Sequence, residues 1–232
     1  MLFDTIRNLI NTGSVDVVQI LAQIVSMLCI IFLILPFHEF AHGWMANKLG
    51  DPTAKNFGRL TLNPLASVDY MGALCLLLFG FGWAKPVPVT SRYFKKPRRD
   101  LALVALAGPA ANLIAALFGA LIYSGLLAFK IPYNTITVFI MNFLWYYISV
   151  NISLAVFNLL PVPPLDGSKI LSAVLPTRIL QFMYKYDRII STVGFMLLFF
   201  GVFSSYLPHI QIFLGNAIIN LSKLPFKLFG LL

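Results

Sequence analysis

Long uncharged runs separated by short polar stretches set the pattern of this chain. Val17 to Phe37 carries no charged side chain, and its 21 residues make about 30 Å of α-helix, one hydrocarbon thickness. Leu101 to Phe129 and Ile136 to Leu160 are further uncharged runs of spanning length. Ile189 to Leu207 reads as a last full span, and Ile210 to Leu221 as an interfacial helix or a partial span. Met71 to Trp83 is apolar but short, and Gly72, Gly80 and Gly82 interrupt it, which predicts a re-entrant or interfacial hairpin. Residues 1–15 alternate apolar Leu2, Phe3, Ile6, Leu9 and Ile10 with Asp4 and Arg7, an amphipathic stretch for the membrane interface.

Composition agrees with this pattern. The chain is 59% hydrophobic and 11% charged, against about 25% charged for a soluble domain. The expected fold is an all-α polytopic membrane protein, a helical transmembrane bundle with a short re-entrant or β-like membrane-associated segment around residues 61–89. A single domain over 1–232 is expected, with its core at about 17–170 and no soluble domain. In such a chain a net charge of +9 points to basic cytoplasmic loops and anionic lipid headgroups, not to nucleic acid. Cys29 and Cys75 both lie inside apolar runs and read as small core residues, not as a disulfide or metal pair.

The chemistry begins where the first run ends, at His38-Glu39-Phe40-Ala41-His42. On a helix, residues four apart share a face, so His38 and His42 can reach one metal ion while Glu39 handles the proton of a water beside it. Pro36 removes a backbone hydrogen bond just upstream. A third ligand follows from topology. The stretch from Lys48 to Arg99 holds nine of the chain's 17 Lys and Arg (Lys48, Lys55, Arg59, Lys85, Arg92, Lys95, Lys96, Arg98, Arg99), so the positive-inside rule places it in the cytoplasm. If residues 71–83 do not cross, the next two spans go out and return, and Asp166 emerges on the histidines' side. Asp166 in a proline-rich break next to the membrane needs a partner. Two histidines, one carboxylate and an open position suit a single catalytic Zn²⁺.

The residues now assembled resemble those of the site-2 proteases, intramembrane zinc metalloproteases, in their small prokaryotic form without a PDZ domain. The family's helical HExxH stands here as His38-Glu39-Phe40-Ala41-His42. Its GxxxN-like motif is Gly108-Pro109-Ala110-Ala111-Asn112, and its N-x-x-P-x-P-x-L-D-G runs from Asn158 to Gly167. Gly82 to Val89 and Thr61 to Leu65 are also similar to family segments, so the likeness spans about residues 30–170. The resemblance implies three core helices around one Zn²⁺, with His38, His42 and Asp166 as ligands and Glu39 as catalytic base. One departure is visible: Ser67 stands where related sequences often carry a histidine, so any gating or substrate role of that histidine is absent here.

Asn112 and Asn158 are candidates for oxyanion or substrate-orienting donors, and each is equally open to a helix–helix hydrogen bond. The expected function is zinc endopeptidase activity on transmembrane segments of membrane-protein substrates, in regulated proteolysis or membrane-peptide clearance. The expected location is the cell membrane, multi-pass, with the active site toward the cytoplasm. The expected partners are a transmembrane protein substrate and membrane lipids, with no nucleic acid. A metal-binding protein or transporter and an inactive protease-like scaffold are the alternatives. A transporter's ligands would mark a path across the membrane, and an inactive scaffold has no need of Glu39. Substrate identity, cleavage site, upstream regulator and oligomeric state are not written in the sequence.

Overall fold

The computed structural model describes residues 17–79, 84–202 and 206–231. The N-terminal amphipathic stretch and Gly80 to Trp83 lie outside the described residues. The first run folds as α1 (Val17–Cys29), a π-helical turn (Ile30–Ile34) and α2 (Leu35–Lys48). Pro36 explains the turn. It has no N–H to give, and the ladder reorganises upstream, where the Leu35 N–H reaches back five residues to the Ile30 carbonyl. π-turns of this kind are rare in helices and frequent at functional sites. Ile30, Ile31 and Ile34 in the turn are buried.

Two longer helices carry the bundle, α6 (Pro97–Ala128) and α7 (Thr135–Asn158), named after three short helices, α3 (Thr53–Asn56), α4 (Pro64–Ser67) and α5 (Tyr70–Phe79). Among the described residues, Ile24–Lys48, Pro97–Ala128 and Thr135–Asn158 are long and apolar enough to cross a membrane. The connection at 129–134 is short, so α7 returns alongside α6. Small residues permit the approach: Ala116 and Ala120 meet Ile148, Ile152 and Val156.

The region from 61 to 89 is mostly helical turns, with a single β-bridge pairing Val68 with Ala84 in antiparallel sense. The chain that leaves at Val68 through the ten-residue α5 is therefore back beside Val68 at Ala84. An excursion that starts and ends at one level, on a helix of about 15 Å, does not cross. From Ala84 to Thr90 the chain has no helical turn. Lys85 and Val87 each precede a proline, which pushes both residues to extended backbone. Pairing beyond the one bridge is absent from this strip among the described residues, so the β-like character expected around residues 61–89 is here extended chain without a ladder.

The C-terminal region departs from expectation. Ile189 to Leu207 is not one full span: α10 (Asp187–Phe199) has 13 residues and the chain turns at Gly201, whose φ of 73° suits a residue without a Cβ. Two further short helices precede it, α8 (Asp166–Val174) and α9 (Thr177–Lys185). The segment read as an interfacial helix or a partial span lies within α11 (Leu207–Leu228), a 22-residue helix about 33 Å long. Ser222 pairs with Ser124 through their hydroxyls at 2.7 Å, and Phe226 stacks edge-on against Phe129, so α11 runs beside α6 in the same direction. A uniform apolar window does not show where a helix stops. The glycine's backbone conformation and the Ser–Ser contact decide it.

Candidate metal centre

Helix α2 places His38 and His42 one turn apart, their rings nearly perpendicular with centroids 4.6 Å apart. The two Nε2 atoms face each other at 3.0 Å. Asp166, the first residue of α8, brings Oδ2 to 3.3 Å from His38 Nε2 and 3.1 Å from His42 Nε2. All three residues are buried, and among the described residues they form the group whose ligand atoms could hold a metal ion. Tetrahedral Zn²⁺ with bonds of 2.0–2.1 Å separates its ligand atoms by about 3.3 Å, which is the size of this triangle.

The donor chemistry also fits a cation. His42 Nδ1 lies 2.7 Å from the Val104 carbonyl on α6, an acceptor, so Nδ1 carries the proton. The neutral ring then presents a bare Nε2 to the Asp166 carboxylate. Two acceptors at 3.1 Å repel unless a proton or a metal ion lies between them. Burial works to raise the Asp166 carboxyl, but hydrogen bonds from the His38 and His42 rings, where Nε2 carries the intervening proton, and the Lys169 ammonium, 3.2 Å from Oδ1, outweigh it and hold the group well below the usual carboxylate range. Orienting a histidine through its second nitrogen is a familiar feature of metal sites. His42 has it from Val104, whereas His38 Nδ1 has no partner among the described residues.

Two glycines set how closely these elements meet. A Cβ on Gly108 of α6 would lie 2.4 Å from His42 Nε2 and 2.6 Å from His38 Nε2. A Cβ on Gly167 would lie 2.2 Å from the Leu159 carbonyl oxygen, so the start of α8 is pressed onto the end of α7. Backbone cannot yield as a side chain can. Gly167→Ala is therefore expected to cost about 3 kcal/mol as overpacking and to displace the neighbouring Asp166, read as a lowered unfolding midpoint together with weaker zinc retention.

Glu39 is half-buried, and its Oε2 accepts the Val87 N–H at 2.9 Å. The strip is held at both ends of that contact. Lys85 donates its N–H to the Ser67 carbonyl and accepts from Arg59 at 2.6 Å. Beyond it, Thr90 donates its N–H to buried Asp51 at 2.7 Å. Ser67 is itself buried. Asn112 is 1% exposed, one helical turn beyond Gly108, and neither atom of its amide has a partner among the described residues. Asn158 is different: its Nδ2 donates to the Leu154 carbonyl of its own helix at 2.9 Å.

A model of peptidase family M50 matches residues 26–134 and 124–201. YwhC of Bacillus subtilis (strain 168) is 40% identical over 180 residues, which cover 76% of this chain and 82% of YwhC. The chain belongs to peptidase family M50. Rip2 of Mycolicibacterium smegmatis is 32% identical over 169 residues, 71% of this chain and 59% of Rip2. CPE1693 of Clostridium perfringens is 45% identical over 56 residues, 24% of this chain and 17% of its own length. All three relatives are assigned by name as zinc metalloproteases. No solved structure matches. The site-2 protease resemblance drawn from the motifs is thus borne out, and the protein is a zinc metalloprotease of the membrane M50 family whose His38, His42 and Asp166 group could hold one ion.

Sequence reading reached the three residues of this group but not what surrounds them. Val104, Val87 and Lys169 act through a carbonyl, an N–H and an ammonium whose neighbours no motif names. Gly108 carried a signal: it lies four residues before Asn112, hence on the same helical face.

Proposed function

We propose that this M50 chain is an intramembrane endopeptidase that hydrolyses peptide bonds within transmembrane segments of membrane proteins. The observation that carries this reading is the place of His38 and His42. They lie on a helix of spanning length and are buried against Asp166. In the proposed mechanism zinc, when held by His38, His42 and Asp166, supplies Lewis acidity and water activation. Glu39 takes a proton from the attacking water as its oxygen bonds to the carbonyl carbon, and delivers that proton to the leaving nitrogen as the C–N bond breaks. The Val87 N–H orients the Glu39 carboxylate. Asn112, buried with an uncommitted amide, donates to the developing oxyanion. Asn158, with its Nδ2 engaged on Leu154, serves positioning. The strip from Ala84 to Thr90 holds an unwound substrate segment extended beside the site.

The substrate is a transmembrane protein, the surroundings are membrane lipids, and nucleic acid takes no part. The basic stretch from Lys48 to Arg99 supports a cell-membrane location with the site toward the cytoplasm, in one catalytic domain. The test is a purified chain in proteoliposomes with a membrane-spanning reporter, its products sequenced by mass spectrometry. The expected cut falls inside the reporter's apolar segment, stops on chelation and resumes with zinc. A cut confined to the reporter's soluble flank overturns the intramembrane reading.

A further inference from the structure

Away from the metal centre, a surface cavity of about 420 Å³ opens between the C-terminal end of α2 and the N-terminal end of α6. Its size lies in the range of about 300–1,000 Å³ typical of small-ligand sites. Four cations line it, Lys48 from α2 and Lys95, Lys96 and Arg99 from the entry to α6, against one carboxylate, Asp100. That carboxylate is committed. Asp100 is buried and its Oδ2 accepts the Lys96 N–H at 2.9 Å, capping α6. None of the four cations makes an ion pair among the described residues. Four cations about one concavity raise its positive potential and favour an anion there.

The depth of the cavity is marked as well. Lys48 Nζ sits 4.9 Å over the ring of Trp44, one turn earlier on α2, and Trp44 is half exposed. A tryptophan with a lysine reaching past it is the pattern of a helix end at headgroup level. The two walls of the cavity are also the two walls of the metal centre. Directly beneath it Ala46, Phe94 and Val104 form a buried cluster with Leu49, Val89 and Leu101 at its edge, and the Val104 carbonyl is the partner of His42 Nδ1.

We propose that this cavity is a binding site for a phosphate group, which joins α2 to α6 through Lys48, Lys95, Lys96 and Arg99. A phosphodiester lipid headgroup and free phosphate share this chemistry. The full chain is placed in nanodiscs of phosphatidylcholine alone, of phosphatidylcholine with a third phosphatidylglycerol, or of phosphatidylcholine with inorganic phosphate in the buffer, and its thermal midpoint is read in each. The expected result is a midpoint several degrees higher with phosphatidylglycerol. That gain is lost in a Lys48→Gln, Lys95→Gln, Lys96→Gln, Arg99→Gln variant, whose midpoint in phosphatidylcholine alone is no lower than that of the unaltered chain. A Lys223→Gln, Lys227→Gln control keeps the gain. An equal, cation-dependent gain with inorganic phosphate also supports the site and names free phosphate as its source. The same gain in the unaltered chain and the quadruple variant, or no gain with either probe, overturns the proposal. Should the quadruple variant not fold, Lys95→Gln, Lys96→Gln gives the same reading, with a reduced gain expected and an unchanged gain overturning it.

Discussion

Gly108→Ala is expected to lower zinc retention and reporter cleavage sharply while leaving the chain helical and inserted. The added methyl carbon would stand 2.4 Å from His42 Nε2 and 2.5 Å from His38 Cε1, far inside van der Waals contact, and both neighbours are ring atoms with no flexible tail to swing away. His42 is also tied on its other side by Val104. Either the rings turn or α2 and α6 separate, and both moves break a set of ligand atoms that metal sites hold to within about 0.2 Å. A displacement of about 1 Å costs on the order of 100-fold in rate, so cleavage should fall at least that far, with zinc per chain falling in parallel. Gly215→Ala is the matched control, because its methyl meets only Ile152 Cδ1 at 3.8 Å. Full zinc and full cleavage in Gly108→Ala would show that α6 does not form this wall.

Glu39→Gln separates binding from chemistry. Glutamine has nearly the shape of glutamate and still offers an oxygen to the Val87 N–H, so the strip and α2 should keep their places. His38, His42 and Asp166 are untouched, so zinc should stay. What is lost is the ability to take up and release a proton, which is worth about 10²–10⁴-fold in general acid–base catalysis. The expected outcome is zinc near one per chain with cleavage reduced by that factor. Unchanged cleavage removes Glu39 from the mechanism, whereas lost zinc would instead mark it as a structural part of the centre.

How far the sequence reveals this protein depends on the range of the interactions involved. The His38–His42 pair is local, since helical spacing alone puts the rings together. Asp166 was reachable because membrane crossings count in whole numbers, so charge and parity bring it to the histidines' end, as the 3.1 Å and 3.3 Å contacts show. The M50 motifs added Gly108 and Asn112 as letters, but their effects come from packing across α2 and α6. That the Gly108 position admits no methyl depends on rings about seventy residues earlier. The failure at Ile189 to Leu207 has another source. Hydropathy records the apolar content of α10 and α11 but not the turn at Gly201, and the polar Ser222 that lowers the hydropathy of α11 is buried against Ser124.

The prolines of the strip carry a consequence for molecular company. Lys85 and Val87 spend their N–H groups on Ser67 and Glu39, so these two residues turn the same way, and the alternate residues, Pro86 and Pro88, face oppositely with no N–H at all. An edge that can only accept cannot zip onto a copy of itself, because each strand would ask the other for hydrogens that neither has. Two such chains meeting in a crowded bilayer therefore have no reason to join there. A visiting peptide would have one, provided that it brought its own N–H groups at alternate residues, and proline at either of those positions would deny it the seat.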